Sequence, residues 1–321
     1  MERNANQYKI PAIGVVETAE DTGAESIANA LGVESASVVG NPSEALRAVL
    51  FGLGLGPECE VLVPAFGKHT PGPEVCGVGA RPSYVDVGKD IVLNRANLTR
   101  KLEAEYRREN GFWVHKRRGL TLRGIVMTHP FGFSPFVDEL EEFAAEHGLI
   151  LVDDARGALG SRAWSNSRSA WISAGASGAA GVASLNGKAF VLSSNPELVR
   201  FVSMRVKGSY QESVSPDDLK ELRISALKTR RSLSEALVSA GLGEVPETPN
   251  YCQTACPEVI MIAKGERDEA VDRIKEAGFV AETDLWPWIV MDASDRQYGY
   301  RKGRCPESEE LSRKAVAVRM K

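Results

Sequence analysis

A mainly parallel α/β sheet with helices on both faces, followed by a smaller α+β unit, is the fold class predicted by this 321-residue sequence. Three observations carry that reading. Leu149-Ile150-Leu151-Val152 runs straight into Asp153-Asp154 and then into small residues, the pattern of a buried strand ending at paired carboxylates. Gly124 to Thr128 is a second apolar run, separated from the first by Asp138 to His147, an amphipathic helix with Leu140, Phe143 and Ala144 on one face and Gly148 closing it. Strand and helix in alternation imply parallel pairing with crossover helices, whereas the shorter elements beyond residue 210 read as a separate α+β unit. Domains of 1–210 and 211–321 are expected.

Bulk composition narrows the function. Hydrophobic residues make up 43% and charged residues 26%, which is ordinary for a globular protein with a large core. A net charge of −4 gives no overall attraction for nucleic acid or an anionic membrane. Neither a spanning apolar run nor a charged-then-apolar leader is visible, so a cytoplasmic location is expected. The five cysteines are odd in number and mostly scattered, which argues against a disulfide framework. Cys252 and Cys256 lie close together but lack the other ligands a structural zinc needs, so no metal is expected.

In chain order, residues 1–22 are polar and irregular apart from Ile10 to Val16, and suggest a loose arm or a partner-docking segment. Ile27, Ala30 and Leu31 fit a helix stopped by Gly32, and Ala36 to Val39 a short strand. Gly40-Asn41-Pro42-Ser43 then opens the helix Glu44 to Leu53, so this turn is either an anion cradle using free N–H groups or a plain cap, with Ser43 as hydroxyl donor or N-cap. Pro42 removes one N–H from such a cradle. Glu60 to Pro64 and Arg81 to Val87 are strands around a short helix at 73–79. The basic segment 95–123 reads as a solvated helix with Glu103, Glu105 and Glu109 interleaved. A loop is expected at 161–181.

Asn186-Gly187 between two apolar runs is a strong hairpin signal and sets Lys188 beside a tight turn. A helix at 196–206 and a polar helix pair at 216–240 follow. The tail reads as strand 258–263, helix 266–277, strands 279–283 and 286–291, and helix 307–317. Asp154 ends the central strand, where ligands of parallel sheets bind; capping the next turn is the competing role. His129 occupies the equivalent end of its own strand, as a cleft residue or a turn histidine.

The order of these phrases resembles the DegT/DnrJ/EryC1/StrS sugar aminotransferases of pyridoxal-phosphate fold type I. The resemblance rests on the Gly40 to Leu46 turn, Leu53 to Glu60, Val61 to Pro64, Gly79 to Pro82 with Asp86-Val87, His129 with Gly132, Val152 to Ala155, and Asn195 to Leu198. It implies a homodimer that binds pyridoxal phosphate and transfers an amino group to a keto-sugar or related small-molecule substrate. By the same resemblance Asp154 pairs with the ring nitrogen of the cofactor, Ser43 and Ser184 hold its phosphate, His69 stacks on the ring, and Lys188 is the Schiff-base lysine.

This sequence departs from the family pattern at several of these points. Lys188 sits one residue too close to Ser184, and the glycine-rich loop that should follow the lysine is missing. Counting back from Asn195 instead puts Ala180 or a neighbour at the lysine position. Pro42 replaces a phosphate-binding glycine, Gly157 a polar contact, and Lys68 the stacking aromatic unless His69 serves one residue on. The resemblance therefore implies either an active transaminase or a cofactor-free relative, which would act as a pseudoenzyme, as a partner subunit, or through other chemistry in the same cleft.

Overall fold

The structure is a computed structural model that describes residues 22–88, 90–206, 208, 214–287 and 298–321. The arm expected at 1–22 thus lies almost wholly outside the described residues. So do the proposed boundary at 210 and most of the strand expected at 286–291.

A nine-stranded sheet forms the larger layer. Its main path runs β1 (Ser35–Val39), β11 (Lys188–Ser193), β10 (Ala180–Leu185), β7 (Ile150–Ala155), β6 (Thr121–Thr128), β2 (Cys59–Pro64) and β3 (Arg81–Val85). All of these run parallel except β11, which is antiparallel to both neighbours. Because side chains alternate along a strand, the two faces carry separate cores. Val61, Val63, Val126, Val152 and Val182 pack under α2 (Pro42–Gly52) and α6 (Pro196–Arg205). Leu62, Ile125, Met127 and Leu151 pack under α4 (Arg95–Glu105) and α5 (Val137–His147). Further along that second face, Ala155, Ala183 and Phe190 meet α1 (Thr22–Leu31).

A four-stranded antiparallel sheet, β12 (Gly243–Glu244), β14 (Val259–Ala263), β16 (Ala315–Arg319) and β15 (Val280–Glu282), builds the C-terminal unit. One face buries Leu233 and Leu237 of α7 (Pro216–Ser239) and Ile274 of α8 (Arg267–Glu276). Its other face, through Ile260 and Ala317, shares a core with Phe66, Phe131 and Phe133 of the larger layer.

Four expectations are corrected. Segment 95–123 is not one solvated helix: α4 ends at Glu105, and β4 (Tyr106–Glu109) and β5 (Phe112–His115) form a hairpin. Asn110 and Gly111 make its turn with φ of 50° and 86°, the left-handed backbone that this dipeptide tolerates. The loop expected at 161–181 contains another hairpin, β8 (Arg162–Ser165) with β9 (Ala170–Ser173), and β13 (Cys252–Gln253) pairs with β8. Residues 216–240 make one continuous helix, α7, started by a Ser215–Asp218 capping box. The terminal helix α9 (Pro306–Lys314) stops three residues early, because Ala315 onward joins the sheet as β16.

Candidate functional site

The parallel strands end at a cleft of about 410 Å³, whose walls include Lys68, His69, His129, Asp154, Arg156, Glu258 and Arg319. The two acids that end β7 serve opposite faces of the sheet. Asp153 is fully buried; one oxygen lies 2.6 Å from His129 Nε2, and the other accepts from the amides of Gly175 (2.9 Å) and Ser177 (3.2 Å). His129 Nδ1 in turn meets Ser134 Oγ at 2.9 Å. This set ties three loops together and uses all of its groups internally.

Asp154 faces the cleft, where a guanidinium already meets it. Arg156 Nε donates to Asp154 Oδ1 (2.8 Å) and its terminal nitrogen to Oδ2 (2.7 Å), a two-pronged pair. The remaining nitrogen donates to Glu74 Oε1 (2.6 Å) and Ser43 Oγ (3.1 Å). All three charged side chains are nearly inaccessible to solvent. Burial alone would lower the pKa of Arg156, but the carboxylates of Asp154 and Glu74 reverse that and hold it above its ordinary value.

The helix start after β1 does not present a free anion cradle. Asn41, not Ser43, is the N-cap, and its side-chain oxygen accepts from the amides of Ser43 (2.9 Å) and Glu44 (3.1 Å). Ser184 lies on the cleft face of β10, with its hydroxyl accepting from the Gly157 amide at 3.1 Å. His69 opens onto the cleft, where desolvation by the walls, followed by the nearby Arg156, lowers its pKa. Lys68 is bound to Glu258 (2.9 Å) and Glu282 (2.7 Å) across the cleft, and these carboxylates raise its pKa against the effect of burial.

Strand register decides the position of Lys188. Val182 of β10 is level with Asp154 and Ala183 with Ala155, so Ser184 shares the face of Asp154. Across the hairpin Ser184 pairs with Ala189, Leu185 with Lys188 and Ala183 with Phe190. Lys188 therefore belongs to the face of Ala155, Ala183 and Phe190, opposite Asp154, and it is not among the residues lining the cleft. Asp154 and His69 line the cleft, Ser43 and Ser184 adjoin it through their hydrogen bonds to Arg156 and to the Gly157 amide, and Lys188 lies on the opposite face of the sheet from Asp154.

These residues do not fit pyridoxal phosphate held as the resemblance implies. A protonated ring nitrogen would face an acid whose two oxygens are already engaged by a cation, and the hydroxyl meant for the phosphate touches that same cation. Sequence reasoning missed Arg156 and Glu74. Arg156 could have been noticed as a cation two residues past the strand-end acid, but nothing in the sequence pattern marked Glu74.

Comparison with known proteins bears on descent. The DegT/DnrJ/EryC1/StrS aminotransferase family model matches residues 20–190. The chain is 28% identical over 205 residues to dTDP-3-amino-3,4,6-trideoxy-alpha-D-glucose transaminase from Streptomyces venezuelae, covering 60% of this chain and 49% of that protein. It spans less than half the length of the curated relatives it matches. Among solved structures, a DegT DnrJ EryC1 StrS aminotransferase from Brucella abortus superposes with a TM-score of 0.74 at 21% identity, covering 92% of this chain and 83% of that one. S. venezuelae DesV, in complex with a ketimine intermediate, gives 0.72 at 22% identity, covering 92% and 82%. With its fold type I sheet and a match over more than half its length, the chain belongs to the DegT/DnrJ/EryC1/StrS aminotransferase family.

Proposed function

We propose that this chain is a cofactor-independent member of the sugar aminotransferase family, in which the cleft receives a hydroxyl-rich small molecule of the keto-sugar class and does not transaminate it. The observation that carries this reading is the Arg156 fork on Asp154, continued to Glu74 and Ser43, because it spends the ring-nitrogen acid and a phosphate hydroxyl on an internal cation. The register that sets Lys188 on the opposite face of the sheet from Asp154 supports it. Charge in the cleft is largely paired, with Lys68 on Glu258 and Arg156 on Asp154, which favours a polar neutral ligand over a free anion. A cytoplasmic homodimer belongs to the same proposal. Phe51 on α2, Met204 on α6, and Ile224, Leu227 and Val238 on α7 are exposed apolar side chains that a partner copy could cover.

The test is a titration of purified protein with pyridoxal phosphate, followed by visible absorbance and equilibrium dialysis. No band and no retained cofactor are the expected outcome. A saturating band that disappears in Lys188→Ala would overturn the proposal and establish the transaminase reading, with Lys188 and Asp154 as its working pair. Light scattering checks the dimer, and a monomeric mass removes that part alone.

A further inference from the structure

We propose that His69 is the general base of the cleft, which takes a proton from the carbon beside the carbonyl of a keto-sugar and so interconverts its keto and enediol forms. This rests on the keto-sugar reading of the cleft and adds a reaction to it. His69 follows the turn after β2, at the carboxyl end of the sheet, and lines the cleft together with Asp154, Arg156 and Gly157. Gly157, with φ of 79°, flanks the imidazole. A Cβ there would lie 4.0 Å from His69 Cδ2, so the glycine keeps the space beside the ring open.

The other ionisable groups of this wall are already engaged. Asp154 is held by both prongs of Arg156, and Glu258 by Lys68 at 2.9 Å. A carboxylate paired with a cation is a weak base. His129 spends one ring nitrogen on Asp153 and the other on Ser134. Burial pushes the Cys256 thiol up to about 11, which keeps it protonated at neutral pH. Arg319 is a cation beside Glu282 at 3.5 Å. Among the described residues lining the cleft, His69 alone carries an ionisable group with neither a hydrogen bond nor an ion pair.

The surroundings of His69 suit a base. Desolvation is the main cause that lowers its pKa, so at neutral pH the ring is uncharged and offers an acceptor nitrogen. Of the charges acting on it, Arg156 outweighs Asp154, and Lys68 outweighs Glu258. The field at the ring is therefore positive although the charges of the cleft are paired, and it favours negative charge developing on a ligand oxygen. In the step itself the C–H proton passes to the imidazole nitrogen, the C–H electron pair forms a C=C bond, and the carbonyl pair moves onto oxygen as an enediolate. The imidazolium then returns a proton to the carbon and the electrons retrace their path. Atoms and electrons balance without an oxidant or a reductant. In deuterium oxide the imidazolium exchanges with solvent, so the carbon receives a deuteron.

Proton NMR of the full chain in deuterium oxide, with dihydroxyacetone and D-xylulose as probes, tests this. Saturation transfer on the same samples reports binding independently. Expected are saturable binding of at least one ketose and loss of its α-proton signal faster than in protein-free buffer. The excess rate falls by about 100-fold in His69→Asn while binding persists, and added imidazole restores part of it in His69→Ala. It is unchanged in Lys188→Ala. The native rate also declines below about pH 6.5, as the imidazole takes up a proton. The His69 ring makes no hydrogen bond among the described residues, so both variants keep their fold, verified by an unchanged Tm. No saturable binding of either ketose overturns the keto-sugar reading and this proposal with it. Binding without excess exchange overturns this proposal alone, and so does exchange that survives in His69→Asn.

Discussion

Arg156 concentrates more of the chemistry of the cleft than any other residue, and it does so from inside the strand-end motif. Removing its charge leaves Asp154 and Glu74 buried with no cation between them, and breaking a buried pair in this way costs about 3–5 kcal/mol. Arg156→Met is therefore expected to lower the urea-unfolding free energy by that amount. Lys188→Ala, at a partly exposed hairpin position, is expected to cost clearly less than Arg156→Met. Equal losses in the two variants would contradict the placement of either residue. The sequence supplied Asp154, Ser184 and His69 as residues at or beyond the carboxyl ends of strands, where Asp154 and His69 line the cleft and Ser184 adjoins it through the Gly157 amide. It also contained the clue to Lys188: a two-residue turn at Asn186-Gly187 pairs 185 with 188, and counting by twos from there leads away from Asp154. Glu74 reaches Arg156 across 82 residues of chain, and no local pattern encodes that meeting.

At the scale of elements, strands with long apolar runs and helices with clean apolar faces were legible, and short polar hairpins were not. Asn110-Gly111 carries the same turn signal as Asn186-Gly187, but of its flanking strands Tyr106–Glu109 is mostly charged, so the four-residue run Phe112–His115 has no apolar partner before the turn. They are held instead by cation–aromatic contacts such as Arg108 over Trp113 at 4.4 Å. β16 was hidden for a different reason, since the helix pattern before it passes into Ala315–Val318 without a break and only the partner strands β14 and β15 decide the change. β10 supplies the element-level prediction. A Cβ on Gly181 would run into the backbone carbonyl of Gly175, whose own amide serves Asp153, so Gly181→Ala is expected to destabilise the protein by about 2–3 kcal/mol. A shift in the urea midpoint at unchanged m-value reads that out, and an unchanged midpoint would show that this loop yields freely.

For the molecule as a whole, pH sensitivity follows from histidines kept neutral. His115 is buried, and its Nδ1 accepts from the amides of Arg117 (3.0 Å) and Arg118 (3.2 Å), a tautomer that a second proton would destroy. Burial, with Arg118 adding to it, lowers its pKa below the ordinary value, and burial also lowers that of His147. Above about pH 6.5 both folded and unfolded chains leave these rings neutral. Below it the unfolded chain takes up protons first, so stability is complete above pH 6.5 and declines as pH falls toward the folded-state values. For His115 the slope reaches at most about 1.4 kcal/mol per pH unit. Thermal melts are expected to show Tm falling between pH 7.5 and 5.5, before carboxylates with lowered pKa such as Asp138 begin to titrate. The fall should be shallower in His115→Asn, and a flat profile in the native chain would refute the assignment.

The face alternation that separates Lys188 from Asp154 also bears on how an amine could be installed in the cleft. Ser184 and Ala189 share the face of Asp154, but a lysine at either would arrive beside a guanidinium that occupies the acid. Deleting that guanidinium first would strand two interior carboxylates. Each order passes through a handicapped intermediate, so an engineered amine and the removal of Arg156 have to be introduced together.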